Sequence, residues 1–231
     1  MKMEIKYAPQ SLSEVIYPNI GVANTVIAYG NRGLNGHVML YGPNGTGKTT
    51  VANLLTYAIG GPTAIVEDKD YDEVLKQDDL KGYLKRSCQL GSLTDSSKFF
   101  LVFNEFDNAK VNLNKLWTAM DACGDELMVI ITTNNPMNVH KSIRSRCEEI
   151  EMSAPTPDAV LVRAQSILKA EGLILPNDQV LHYLQTEAHR GDLRKYMQVL
   201  DKLLYLKGAN LPMPEWTTAP AAKRPQLARV K

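Results

Sequence analysis

A phosphate-binding pattern near the start of the chain places the strongest constraint on its fold. Residues 37–50 read HVMLYGPNGTGKTT, which contains G-x-x-x-x-G-K-[ST] between an apolar run and a segment with helical spacing. In a strand–loop–helix unit, such glycines let successive backbone N–H groups surround a polyphosphate. The N-terminus of the following helix also favours negative charge there. The context therefore favours nucleotide binding over an incidental glycine-rich turn.

The residues of this loop predict a site for ATP and Mg²⁺. Lys48 is expected to reach the β- and γ-phosphates, and the Thr49 hydroxyl is expected to ligate Mg²⁺. The other residues expected to hold the nucleotide are Gly42, Pro43, Asn44, Gly45, Thr46, Gly47 and Thr50.

Strands and helices alternate through residues 1–153, which predicts an α/β domain with a parallel sheet covered by helices on both faces. After an irregular segment 1–19 and a helix over 20–29, the predicted strands are 38–41, 63–66, 99–103, 127–131 and 147–152. One helix with flanking loops is expected over 67–97, and another over 111–123. Ligands of such sheets bind at the carboxyl ends of the strands, so we expect all the motif residues at that edge.

The chain changes character after a Pro-rich hinge at 154–157. Helical patterns at 158–171, 177–189 and 192–206 predict a small helical lid domain over 154–208. Residues 209–231 contain four prolines and several cations, and we expect an extended or disordered basic tail.

Composition restricts the class of protein but not its function. Apolar residues make up 44% of the chain and charged residues 22%, as in soluble globular proteins. No apolar run approaches the ~20 residues of a membrane span, so we expect a cytoplasmic protein with no membrane partner. A net charge of +1 neither favours nor excludes nucleic acid.

The strand at 99–103 ends in Asn104-Glu105, where ATPases usually carry Asp-Glu. Glu105 is placed to polarise the attacking water. Asn104 can accept a hydrogen bond from a metal-bound water but lacks a negative charge. We therefore expect nucleotide to bind and hydrolysis to be slow or conditional.

Three further polar residues could act on the phosphates. Asn134, at the end of the next strand, could orient water or could simply begin a turn. Arg146 could form surface pairs or could reach the γ-phosphate of a neighbouring subunit. Arg194 begins the third lid helix and could couple the lid to the nucleotide.

Together these motifs resemble the AAA+ ATPases, and among them the sliding-clamp loaders, especially the phage type. The resemblance covers about residues 5–206 and rests on Lys6-Tyr7-Ala8-Pro9, GPNGTGKTT, FLVFNEFD, VIITTNN, Ser145-Arg146-Cys147 and GDLRK. It implies that Arg146 is an arginine finger acting on the next subunit, Asn134 a sensor and Arg194 a lid sensor. It also implies an oligomer of ATPase subunits, with a sliding clamp and primer–template DNA as partners.

The chain departs from this family at Asn104 and shows no evident helical collar domain after Leu206. In the family, basic residues after the second strand contact DNA, which points to Lys81, Lys85 and Arg86 as phosphate contacts. The leading hypothesis is a clamp-loader ATPase. The alternatives are a subunit that binds ATP and hydrolyses little, or an AAA+ helicase loader or transposition regulator.

Overall fold

The computed structural model of the chain describes residues 2–68, 71–107 and 113–216, apart from the side chain of Asp72. Its centre is a five-stranded sheet in the order β2-β3-β4-β1-β5, in which every neighbouring pair is parallel. The strands are β1 (His37–Tyr41), β2 (Ile65–Asp68), β3 (Phe99–Phe103), β4 (Leu127–Thr133) and β5 (Cys147–Glu151). The predicted parallel α/β sheet is confirmed.

Helices cover both faces of the sheet because its central strands are apolar on both sides. Phe99, Leu101 and Phe103 of β3 pack into one core cluster, and Phe100 and Val102 pack into the other. Every residue of β3 and β4 is buried. The helices of this domain are α1 (Met3–Lys6), α2 (Ile20–Gly30), α3 (Lys48–Gly60), α4 (Tyr71–Leu75), α5 (Leu80–Gly91), α6 (Leu113–Cys123) and α7 (Lys141–Arg144).

The lid consists of α8 (Pro157–Ala170), α9 (Asn177–Gln185) and α10 (Leu193–Gly208) around a core of its own. Met3 of α1 belongs to that core, so the N-terminal segment packs against the lid. Lys6 and Tyr7 strengthen this contact, since both donate a hydrogen bond to the Glu171 carboxylate.

Several element boundaries differ from those predicted. Strand β2 begins two residues late because residues 61–63 form a 3₁₀ turn, and residues 67–97 contain two helices rather than one. The N-terminal segment contains α1 and a 3₁₀ turn, so the prediction of an irregular segment was wrong there.

The predicted tail lies outside the described residues from position 217 onward. Before that point, Met213 and Trp216 pack against the lid core, and Tyr183 Oη donates to the Pro214 carbonyl at 2.9 Å. In the described ranges, no helix is both long and apolar enough to cross a membrane.

Candidate nucleotide-binding site

The loop between β1 and α3 has the backbone of a phosphate cradle. Gly45 and Gly47 adopt φ angles of +76° and +87°, which side chains other than glycine rarely tolerate. Gly47 immediately precedes α3, so the free N–H groups of the first turn point out of the helix end. This is the strand–loop–helix context that the motif predicts.

Lys48 is nearly buried beneath this loop. Its Nζ atom donates to the carbonyl oxygens of Gly42 at 2.8 Å and Pro43 at 2.7 Å, and to Asn134 Oδ1 at 3.0 Å. Burial lowers the pKa of the Lys48 ammonium, and the carboxylates of Asp107 and Glu105 partly oppose this effect. The contact brings together the loop lysine and the predicted sensor Asn134, which directly follows β4.

The residues after β3 are held against β4. The Glu105 backbone N–H donates to Thr132 Oγ1 at 3.0 Å, and Glu105 has a φ of +53°, uncommon for a residue with a side chain. Asn104 Nδ2 donates to Asp68 Oδ1 at 3.0 Å. The amide at the predicted metal side of the site therefore lies beside a carboxylate from β2.

Asp107 also belongs to this group, although sequence reasoning did not select it. Thr133 Oγ1 donates to Asp107 Oδ1 at 2.5 Å, and Asn134 Nδ2 donates to Oδ2 at 3.3 Å. The available sequence signal was the second acidic residue of NEFD, the four residues that directly follow β3. Asp107 fixes the orientation of Asn134, whose amide oxygen then faces Lys48.

These elements enclose a cavity of about 90 Å³ at the carboxyl edge of the sheet. Its lining includes Asn44, Gly45, Gly47, Lys48, Thr49, Thr50, Glu105, Thr132, Thr133, Asn134 and Arg194. Most of the predicted nucleotide residues thus meet in one place.

A second cavity, of about 170 Å³, lies beside the phosphate loop between the N-terminal segment and the lid. The lining residues are Glu4, Tyr7, Ala8, Pro9, Glu14, Val15, Ile16, Gly45, Gly47, Thr50, Arg163, Leu193, Arg194 and Met197. Its mixture of apolar side chains and backbone suits a nucleoside base next to the phosphates.

The N-terminus of α10 rests directly on the phosphate loop. The Leu193 N–H donates to the Gly45 carbonyl at 3.0 Å, and Asp192 caps the helix by accepting from the Arg194 N–H at 2.8 Å. The Arg194 guanidinium borders both cavities and pairs with Glu4 at 3.3 Å. Sequence reasoning missed Glu4, which belongs to no motif.

Arg146 lies away from these residues, so the expectation that all motif residues share one edge was wrong. It directly precedes β5, at the amino edge of the sheet, whereas the phosphate loop follows β1 at the carboxyl edge. A five-residue strand separates these edges by roughly 16 Å. Arg146 forms a bidentate ion pair with Asp121 at 2.6 and 2.7 Å, a partner that no sequence signal indicated.

The predicted DNA contacts lie on α5. Lys81, Lys85 and Arg86 are exposed, and Arg86 approaches the exposed Asp79 at 3.9 Å. They form a basic surface on the helix that follows β2.

The residues present fit ATP with Mg²⁺. Gly45 and Gly47 hold the positive φ angles of a phosphate loop, and Lys48 and the exposed Thr49 line the cavity beside it. Asn104 and Asp68, which are hydrogen-bonded to each other after β3 and at the end of β2, carry oxygen atoms of the kind that Mg²⁺ and its waters prefer. Thr49 and Asn104 would hold the metal, the latter through water. When bound, the nucleotide supplies the phosphoryl group that is transferred to water.

Known proteins are similar to this chain in sequence and in fold. It is 29% identical to the sliding-clamp-loader large subunit of Enterobacteria phage T4 over 209 residues, covering 86% of this chain and 63% of that protein. The corresponding subunit of Escherichia phage RB69 is 29% identical over 77% of this chain and 55% of its own length. The chain therefore spans less than two thirds of these phage relatives.

Replication factor C subunit 5 of Schizosaccharomyces pombe is 24% identical, over 92% of this chain and 70% of that subunit. A RuvB variant from Thermotoga maritima superposes with a TM-score of 0.67 over 88% of this chain and 67% of that one. At 18% identity, this match supports the fold alone.

Residues 38–154 match the family described as "ATPase family associated with various cellular activities (AAA)". The match extends from β1 through β5, and so includes the phosphate loop, Glu105, Asn134 and Arg146. On this match and the geometry of the site, the chain belongs to the AAA family of ATPases.

Proposed function

We propose that this chain is an ATPase subunit of a sliding-clamp loader, in which ATP binding drives assembly on the clamp and primed DNA and hydrolysis releases them. The similarity to phage clamp-loader large subunits supports this proposal. The observation that carries it is the position of Arg146. That arginine lies at the opposite sheet edge from the chain's own phosphate loop, as expected for a residue that serves a neighbouring subunit.

Within one subunit, Lys48 and the loop N–H groups would bind the phosphates, and the second cavity would take the base. Glu105 would hold and polarise the attacking water, while Asn134, fixed by Asp107, would orient it. Arg194 would exchange Glu4 for phosphate and so connect the lid to the nucleotide. Arg146 of the adjacent subunit would stabilise the charge that develops in the transition state.

This arrangement predicts that hydrolysis requires contact between subunits. Turnover per subunit should rise with protein concentration and in the presence of primer–template DNA and clamp. Arg146→Ala should lower turnover by ~10³-fold or more while ATP affinity stays the same, because the residue acts outside its own site. Steady-state hydrolysis and nucleotide titration measure these two quantities.

Arg144 provides a matched control, since it also forms a bidentate pair, with Glu149 at 2.9 Å. Arg144→Ala should leave turnover close to that of the unaltered protein. Normal turnover by the Arg146 variant would instead rule out the finger assignment.

We also propose that the exposed cations Lys81, Lys85 and Arg86 contact DNA phosphates. Each contact releases about one counterion, so replacing Lys85 with Ala should reduce the salt slope of DNA affinity by ~1. An unchanged slope in a salt titration would contradict this contact.

A second candidate function is supported by Asn104. The amide is neutral and already bonded to Asp68, so metal-bound water would be held less firmly than by a carboxylate. In that case the chain binds ATP, hydrolyses little and donates Arg146 to a more active partner. Turnover that remains flat with protein concentration and DNA, while ATP binds normally, would favour this function.

A further inference from the structure

Asp121 makes an unusually complete contact with Arg146. The carboxylate, on α6, accepts hydrogen bonds from Arg146 Nε at 2.6 Å and Nη2 at 2.7 Å, while Nη1 donates to the Ser142 carbonyl at 2.6 Å. The hydrogen bonds from Arg146 lower the pKa of the Asp121 carboxyl, so the pair is ionised at neutral pH. Asp121 of α6 and Ser142 of α7 thus fix the guanidinium of Arg146.

Fold stability alone explains this arrangement poorly. The side chains are 31% exposed for Arg146 and 55% exposed for Asp121. Ion pairs of this exposure contribute little to stability, because water screens them and two long side chains lose freedom. The main effect of the contact with Asp121 is on Arg146, whose side chain would otherwise sample many rotamers.

The pair leaves Arg146 able to bind a further anion. A guanidinium has five N–H donors, of which Asp121 takes two and the Ser142 carbonyl takes one. Two donors therefore remain, on a group that is still partly exposed. Two N–H groups are sufficient for a bidentate contact with a phosphate.

We propose that Asp121 is a positioning residue that holds Arg146 in the orientation needed to reach the γ-phosphate of the adjacent subunit. This inference rests on the proposed function, in which Arg146 acts between subunits. The carboxylate keeps its bonds while the two remaining donors meet the phosphate. The guanidinium then loses little freedom on binding, and the transition state is stabilised without rearrangement.

A mixing experiment separates Asp121 from the rest of the site. Lys48→Ala subunits donate Arg146 but cannot bind ATP, and Arg146→Ala subunits bind ATP but donate no arginine. The two variants are mixed under the conditions in which the unaltered protein turns over. ATP is then hydrolysed only where Arg146 of a Lys48→Ala subunit reaches the ATP of an Arg146→Ala subunit. Adding Asp121→Ala to the donor should lower turnover by roughly 10- to 100-fold, the range for a misplaced catalytic group.

The same substitution in the other subunit is the matched control. Asp121→Ala added to the Arg146→Ala subunit should leave turnover and ATP affinity unchanged, because that subunit has no arginine to position. Asp121→Glu in the donor should restore part of the activity. Asp125→Ala, which removes an exposed carboxylate four residues away, should have no effect in either subunit.

The outcomes are distinguishable. If the two parent variants regain no hydrolysis when mixed, the intersubunit function itself is wrong. If they regain it and Asp121→Ala in the donor changes nothing, the positioning role is wrong. Higher turnover with that donor would also overturn the proposal, since Asp121 would then be withholding Arg146.

Discussion

Each of the three cations proposed to meet the phosphates of the nucleotide contacts a protein oxygen in this structure. Lys48 donates to backbone carbonyls, Arg194 pairs with Glu4, and Arg146 pairs with Asp121. Partners of this kind limit the rotamers of long cationic side chains before a ligand arrives. The same protein oxygens are the acceptors that a phosphate oxygen must displace, or bind beside, to contact these cations.

Asn104 provides a direct test of electrostatics at the metal side of the site. Asn104→Asp should raise turnover about fivefold at saturating Mg²⁺ and ATP. A hydrogen bond to a charged acceptor is stronger by ~1 kcal/mol than one to a neutral acceptor, and this difference should persist in the transition state. Steady-state hydrolysis at several Mg²⁺ concentrations measures the change.

The same variant should depend on metal for stability. Asp68 Oδ1 lies 3.0 Å from Asn104 Nδ2, so a carboxylate at position 104 would face a like charge that Mg²⁺ neutralises. Its melting temperature should fall in EDTA and recover with Mg²⁺, and adding Asp68→Asn should remove this dependence. Unchanged turnover would show that the amide does not limit hydrolysis.

At the residue scale, the sequence predicted what lies in motifs and missed their partners. Lys48, Glu105 and Asn134 were expected at the carboxyl edge of the sheet and Arg194 near the same phosphates, and all four line one cavity. Asp121 stands 25 residues from Arg146 in a helix without any motif. Pairs of this kind depend on how α6 packs, which local patterns do not encode.

At the level of elements, the contact between the phosphate loop and α10 joins the proposed nucleotide site to the lid. The Gly45 carbonyl accepts from Leu193, and a Cβ added at Gly45 would lie 1.9 Å from Asp192 Oδ1. A side chain at Gly45 would therefore displace the Asp192 carboxylate, which caps α10. A change in the loop should therefore be transmitted to the lid helix.

Gly45→Ala should weaken ATP binding by about 5- to 30-fold. The added methyl group is strained at a φ of +76°, which costs about 1–2 kcal/mol, and it also displaces Asp192. Titration with a fluorescent ATP analogue measures the loss. Gly61→Ala is the matched control, because Gly61 has a φ of +66° but nothing within 4 Å of an added Cβ.

A second substitution identifies the cause of that loss. If contact with the lid is responsible, combining Gly45→Ala with Asp192→Ala should recover part of the affinity, although the lost helix cap costs ~1 kcal/mol. A double variant no better than Gly45→Ala alone would assign the effect to the loop backbone.

Element boundaries were predictable where apolar runs are long and less so where turns intervene. The strand at residues 99–103 was predicted correctly because five consecutive apolar residues require burial on both faces. Within 67–97, the break between α4 and α5 was missed because charged residues continue through it. Packing of Met3 into the lid core required tertiary information, since the N-terminal segment is too short to show periodicity.

At the scale of the whole molecule, a nucleotide that fills the two cavities would contact both domains at once. The larger one is lined by the N-terminal segment, the phosphate loop and the lid together. The chain has two tryptophans, and they report on different domains. Trp117 packs against the core of the α/β domain, and Trp216 packs against the lid core.

ATP should therefore stabilise both domains against unfolding. In urea titrations of Trp216→Phe and Trp117→Phe, the remaining tryptophan follows one domain in each variant. At an ATP concentration 100 times its Kd, the free energy of unfolding of each domain should rise by ~2.7 kcal/mol, because the nucleotide leaves when either half of its site unfolds. Adding Lys48→Ala should remove both gains at the same ATP concentration. If only the unfolding transition reported by Trp117 were stabilised, the lid would not share in binding. Arg194 would then have no part in sensing the nucleotide.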